Sequence, residues 1–336
     1  MSSMRAIACK SPDRDMTHLS IMNAPLPEPG KGQVRIAVQA ASLNPVDWKL
    51  VTGVAPWWIG KGLHYVGLDG AGVVEALGEG VHQVVVGDRV MWHADLSRQG
   101  VLADFAVADA HVLSRIPTNV SFQTAAAFPC AGMTAYQALV RKARISAGQT
   151  ILVQGAAGSV GGFAIQIAKR FGAQVIALAR GEQEEGVRAL GADHVLDRND
   201  PALAEKVREL TGGYGADVML EVANPGDARR SLDLIHYNGH LLCVDPLPDL
   251  THVSPYTYAA SIHEVALGGA YAAGHRPTQE DFSVMGAKLL EMSAEGRLDP
   301  LIDKVIRLEE AVAELKAMRN RSSGGKIIVD IGGKGP

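Results

Sequence analysis

The chain has 336 residues, of which 47% are hydrophobic and 20% charged, and its net charge is −4. That length supports two cores, and the mild acidity gives no electrostatic case for a nucleic-acid or membrane partner. Aromatics at 5% leave no base-stacking platform, and no apolar run approaches the roughly 18–20 residues of a membrane span.

The opening MSSMRAIACKSPDRD turns charged within a few residues and lacks the apolar stretch of a signal peptide. Cys9, Cys130 and Cys243 are an odd number spread along the chain, so they imply no disulfide framework. A reducing, cytoplasmic setting is the expectation.

Residues 1–125 alternate short β-branched runs with glycine and proline: QVRIAVQAA, GAGVVEALG, GDRVMW and FAVADAHVL. This spacing predicts short, mostly antiparallel strands. Over residues 126–265 the pattern becomes apolar strand, turn, amphipathic helix, repeated. TILVQG, QVIALA, HVLD, ADVMLEVA and HLLCVD read as strands, separated by helical stretches such as FAIQIAKRFG and PALAEKVRELTGG. Strands alternating with helices demand parallel pairing through right-handed crossovers, hence an α/β doubly wound sheet. Residues 266–336 carry two helical stretches, EDFSVMGAKLLEMSAEG and LEEAVAELKAMRN, and a closing strand, GKIIVDI.

The sharpest local signal is ILVQGAAGSVGG, in which Gly155, Gly158 and Gly161 follow an apolar strand and open a helix. A dinucleotide's pyrophosphate must approach backbone N–H groups at such a helix start, where a Cβ would obstruct it. The turn residues Gly155, Ala156, Gly158, Ser159, Val160 and Gly161 are therefore the expected cofactor cradle. The spacing is GxxGxxG, not GxGxxG, and a tight strand-to-helix turn without a ligand is the plain alternative. An NAD site places an acid at the end of the second strand. QVIALA has none there and is followed by Arg180, whose guanidinium suits a 2′-phosphate. NADP(H) is thus expected over NAD, although a surface arginine is the ordinary reading.

Four segments together resemble one family: GLDGAGVVEALGEGVHQVVVGDRV, FPCAGMTAYQAL, QGAAGSVGGFAIQIAK and GGKIIVDI. In this order, and with NPVDWK at 44–49, the chain is similar to the medium-chain dehydrogenase/reductase superfamily, in its zinc-free quinone oxidoreductase and enone reductase branch. The resemblance implies a chaperonin-10-like (GroES-like) β-barrel catalytic domain made of residues 1–125 and 266–336. A Rossmann NADP-binding domain at 126–265 is implied between them. It further implies a homodimer or tetramer that pairs through the nucleotide domain, with EVALGGAY (264–271) as pairing strand. Thr134 and Lys326 fall at positions that the resemblance places near the cofactor; a helix-start hydroxyl and a strand-edge lysine are their ordinary readings.

Zinc-dependent relatives carry a cysteine near Asn44 and a His-Glu pair where this chain has Leu68-Asp69. A leucine cannot ligate zinc, and three cysteines cannot supply a four-cysteine structural site. His64 and His93 have no evident partner in the sequence, and Cys130 reads as a small buried filler. No metal is expected.

Without a Lewis acid, alcohol oxidation lacks its usual help, whereas hydride addition to a quinone or an α,β-unsaturated carbonyl needs chiefly positioning and N–H donors. Asn44 and Lys49 are the candidate donors, and Asp47 could orient Lys49 or meet the nicotinamide ribose. Each has a bland reading as well: Asn44-Pro45 starts a turn, Asp47 caps a helix, and Lys49 is a solvated amine. Trp57 and Trp58 would wall a substrate pocket or pack at the barrel mouth. Two other functions stay open: an enoyl-thioester reductase, and an NADPH-binding structural or redox-sensing protein without turnover.

Overall fold

The computed structural model describes residues 3–54, 62–222, 228–244, 247–320 and 324–332. Trp57 and Trp58 lie outside them. The first strands are β1 (Ser3–Cys9), β2 (Ser20–Pro25), β3 (Gln33–Leu43), β4 (His64–Tyr65), β5 (Asp69–Leu77), β6 (Arg89–His93), β7 (Phe105–Asp109) and β8 (Ser114–Arg115). The middle of the chain supplies β9 (Thr150–Gln154), β10 (Gln174–Leu178), β11 (His194–Leu196), β12 (Ala216–Glu221), β13 (Ile235–Cys243) and β14 (Ser261–Glu264). The tail adds β15 (Ile302–Arg307) and β16 (Lys326–Asp330).

The chain folds as two units: Met1–Met133 with Gly268–Pro336, and Thr134–Leu267. In the first, seven strands run β15-β16-β3-β5-β6-β8, with β7 also on β3, and a smaller sheet runs β2-β1-β4. All pairings there are antiparallel except β15 with β16. The 11-residue β3 is its spine, pairing with β5, β7 and β16. Ile36, Val38, Val74, Met91, Trp92 and Ile328 are buried around it.

The second unit is a six-stranded sheet of order β11-β10-β9-β12-β13-β14, parallel throughout. Numbered within the unit this is 3-2-1-4-5-6, the Rossmann order. Such strands are covered on both faces, so ILVQ, VIAL and VMLE read as continuous apolar runs. Leu152, Ile176, Met219 and Leu241 form one core cluster there.

Within the chain, most of the segment EVALGGAY is not a strand. The edge strand β14 ends at Glu264, and Gly269–Ala272 is helical. The register of β13 explains this, because His240–Cys243 pair with Ser261–Glu264.

Candidate functional site

β16, β3, β5 and β6 lie side by side, and their register builds a polar row. Ser42 stands opposite Asp69, and Asp69 opposite His93. Side chains opposite one another on antiparallel strands share a face. Asn44, one residue past β3, is two beyond Ser42, while Lys326 is two before Ile328, the partner of Ser42. Period-2 alternation therefore brings both onto the same face.

Asp69 is the hub, with no exposed surface. Its Oδ2 accepts from Ser42 Oγ at 2.9 Å, Asn44 Nδ2 at 2.9 Å and Lys326 Nζ at 3.2 Å. Its Oδ1 accepts from the Cys130 backbone N–H at 2.9 Å, one of the first-turn donors of the Pro129–Tyr136 helix that lack an intrahelical acceptor. Lys326 is 1% exposed, and its Nζ also donates to Asn44 Oδ1 at 2.7 Å. Asn44 thus bridges the two charges, and its remaining amide hydrogen reaches Ser42 O at 3.3 Å.

Asn44 is also the N-cap of the Pro45–Val51 helix, in extended conformation with proline following. Asp47, on the first turn, accepts from the Asn44 backbone N–H through Oδ2 at 2.7 Å. Its other oxygen, Oδ1, is buried without a hydrogen-bond partner among the described residues. Burial pushes the Asp47 carboxyl up to about 8, the Asn44 N–H opposing and Asp69 reinforcing the shift. Lys49 is partly buried on the same helix.

His93 and Cys130, isolated in the sequence, are brought together by the fold. One ligand atom each of Asp69, His93 and Cys130 lies within 4.8 Å of the others. These are metal-binding residue types, but the set does not suit a divalent cation. Asp69 is already engaged by four donors, one of them the Lys326 ammonium, which a metal would face at close range. Cys130 is partly buried as a residue, yet desolvation of its thiol and the nearby Asp69 push its ionisation up, away from the thiolate a metal binds. His64 is buried on β4, and burial lowers its imidazole to about 4.

In the other unit, β9 runs into the glycine turn and the Ser159–Arg170 helix, N-capped by Gly158. Gly155 takes φ +71°, and a Cβ on Gly161 would lie 2.3 Å from Gly155 O and 2.7 Å from Ala156 Cα. Ala156 is fully buried beneath the turn. Ser159, Val160 and Gly161 form the first helical turn, whose N–H groups face outward along the axis without intrahelical acceptors. This geometry fits a dinucleotide pyrophosphate.

Arg180 lies two residues past β10, its guanidinium half-exposed and 3.4 Å from Glu182. Thr134 is buried on the Pro129–Tyr136 helix, which passes into a π-helical stretch, Gln137–Lys142. Two further polar groups escaped sequence reasoning. Gln137 Oε1 is buried without a partner among the described residues. Glu221, ending β12, is buried and accepts from Ser231 Oγ at 2.8 Å. Both look apolar-embedded in the sequence, so only their contacts distinguish them.

The buried Asp47 yields a pH prediction. Its folded value near 8 lies above the ordinary aspartate value of about 3.9, so the folded state holds an extra proton between them. That contribution to stability is complete below about pH 4 and is lost as pH rises through about 8. Asp47→Asn, neutral at every pH, should flatten this decline and be more stable than the parent above pH 8. Urea midpoints measured from pH 5 to 9 check it; parallel curves would refute it.

Comparison with known proteins converges on the same architecture. The alcohol dehydrogenase GroES-like domain matches residues 30–118, and the zinc-binding dehydrogenase family matches residues 159–286. The quinone oxidoreductase of Sus scrofa is 32% identical over 310 residues, covering 90% of this chain and 91% of that protein. A mycocerosic acid synthase-like polyketide synthase of Mycolicibacterium smegmatis is 30% identical over 322 residues. This chain spans only 15% of that protein's length, although the match covers 94% of the chain. The mycobacterial protein Rv1454c, solved in complex with NADPH, superimposes with a TM-score of 0.83 at 27% identity, covering 97% of this chain and 99% of that one. With its GroES-like barrel and Rossmann sheet, this chain belongs to the medium-chain dehydrogenase/reductase superfamily, in the quinone oxidoreductase-like branch.

Proposed function

We propose that the protein transfers hydride from NADPH to a quinone or an α,β-unsaturated carbonyl, without a metal. The observation that carries this reading is the saturated Asp69: its four donors include a buried ammonium where a metal-dependent site would need an unclaimed carboxylate. A neutral, already polarised acceptor needs no Lewis acid to take up hydride, whereas an alcohol relies on one to lose its proton.

The bound dihydronicotinamide supplies the hydride. The residues of the turn, Gly155, Ala156, Gly158, Ser159, Val160 and Gly161, hold its pyrophosphate against the helix start. Arg180 engages the 2′-phosphate, and Thr134 contacts the nicotinamide half. Lys49 presents an N–H to the oxyanion that develops on the acceptor. Asn44 has both amide hydrogens committed to Asp69 and Ser42. It therefore acts by fixing Lys326 and the start of the helix that carries Asp47 and Lys49. Lys326 lends positive charge to this face, toward the cofactor. In the same reading the protein is a cytoplasmic homodimer or tetramer that pairs through its nucleotide-binding unit, of which β14 is the edge strand. No helix among the described residues is long and apolar enough to cross a membrane.

The similarity to a polyketide synthase favours a second reading, reduction of an enoyl thioester. Loss of reduced-nicotinamide absorbance with a quinone, an alkenal and an acyl thioester separates the two. Turnover should be fastest with the quinone or alkenal; preference for the thioester installs the second reading. Tight NADPH binding without turnover on any acceptor would instead mark a binding protein. Arg180→Ala should raise the KM for NADPH about 10- to 100-fold, the value of a lost charge-assisted contact, and leave NADH nearly unchanged. Equal effects on both would remove the role given to Arg180. Elemental analysis of the active protein should find no stoichiometric zinc, and chelator dialysis should leave its rate intact.

A further inference from the structure

Each hydride added to an acceptor must be matched by a proton, and the buried Asp47 and Lys326 bring none in from solvent. Asp47 has no exposed surface, and Lys326 is sealed between Asn44 and Asp69. His93 is differently placed. It ends β6 directly across from Asp69, with a ring nitrogen within 4.8 Å of the Asp69 carboxylate and the Cys130 sulfur. It is 2% exposed, and its Nδ1 has no hydrogen-bond partner among the described residues. Leaving such a nitrogen dry is costly, so the site calls for a water or a ligand group there.

The ring is held in orientation. Tyr271 stacks on it at 6.3 Å and 14°, and Phe282 leans on it at 6.0 Å and 60°. Tyr271 Oη also donates to the His93 backbone oxygen at 2.6 Å. Burial depresses the imidazole's basicity, which keeps it neutral. A neutral ring has one N–H donor and one bare acceptor, the form that can pass a proton through.

A cavity large enough for a water lies against the same residue. His93, Asp95, Arg98, Asp109 and Tyr271 are part of its wall. Arg98 bridges Asp95 at 3.4 Å and Asp109 at 3.0 Å and is itself half-exposed, so this polar wall continues to the surface. His93 therefore borders the Asp69 cluster and a polar, water-sized cavity at once.

We propose that His93 is a proton relay, carrying a proton from water in this cavity to the acceptor as it is reduced. The inference rests on the hydride-transfer reading. As hydride and its electron pair join the β-carbon, the π pair of the acceptor moves onto oxygen. One His93 N–H bond breaks toward that oxygen, its electrons staying on nitrogen, while the other nitrogen takes a proton from the cavity water. The ring ends neutral as the opposite tautomer, and solvent restores the water. The sum is NADPH, a proton and the unsaturated carbonyl going to NADP+ and the enol, which tautomerises in water to the saturated carbonyl.

His93→Phe keeps the aromatic packing and removes both nitrogens; His93→Ala leaves room for an added imidazole. Both should lower kcat about 100-fold or more, the usual worth of positioned acid–base catalysis, with the KM for NADPH unchanged. Added imidazole should restore the Ala variant and not the Phe variant, with rates that follow the pKa of substituted imidazoles. The parent should show a solvent deuterium isotope effect on kcat that the rescued variant regains. A parent active on the acceptor panel with an equally active Phe variant would overturn the relay alone. So would a folded, slow Ala variant that imidazole does not rescue. A parent inactive on every acceptor would overturn the hydride-transfer reading and the relay with it.

Discussion

The buried pair of Asp69 and Lys326, 3.2 Å apart and almost without solvent exposure, is the constraint around which the barrel unit is arranged. Burying two charges costs several kcal/mol each, and their attraction offsets this only if the remaining lone pairs and hydrogens are matched. Here Ser42, Asn44 and the Cys130 backbone provide that matching. The pair therefore ties together β3, β5, β16 and the start of the Pro129–Tyr136 helix. Removing one partner would leave the other charged and dry, a loss of about 3–5 kcal/mol by analogy with other buried pairs.

The same pair shapes the electrostatics of its neighbours. Desolvation, reinforced by the Asp69 charge, which disfavours a second anion nearby, holds the Asp47 carboxyl neutral well above the usual range. His93, opposite Asp69 on β6, is kept neutral by burial despite the nearby carboxylate. A cluster of one ammonium, one carboxylate, one neutral acid and one neutral imidazole is close to charge balance.

The nucleotide unit solves a different problem by different means. No charged side chain is needed at the turn; the helix start packs tightly onto the end of β9 because Gly161 lacks a Cβ, which would lie 2.3 Å from Gly155 O. The following helix contributes its unpaired N–H groups and dipole. Its buried Phe163, Ile165 and Ile167 fix it to the sheet, so the cradle is rigid.

Much of the fold was legible along the chain, because the signals that specify it are local. Parallel strands covered on both faces must be apolar throughout, and ILVQ, VIAL and VMLE are; the glycine turn announces itself by spacing. The start of the Pro45–Val51 helix was readable from Asn44-Pro45 and Asp47. An apolar, glycine-containing run such as EVALGGAY carries no register, and pairing with β13 places the edge strand earlier. His93 and Cys130 looked solitary for a related reason, being 24 and 61 residues from Asp69 in the chain.

By itself, then, the sequence determined the fold class and the glycine-rich strand-to-helix turn, and it set Leu68 and Asn44 near the positions where the resemblance would put zinc ligands. Only the tertiary structure decided that Asp69, and not Lys49, is the centre of the polar face. It also set Lys326 against Asp69 and His93 between that face and a cavity. The reason is geometric: strand register joins residues that are 257 positions apart, and no local pattern encodes which strands will be neighbours.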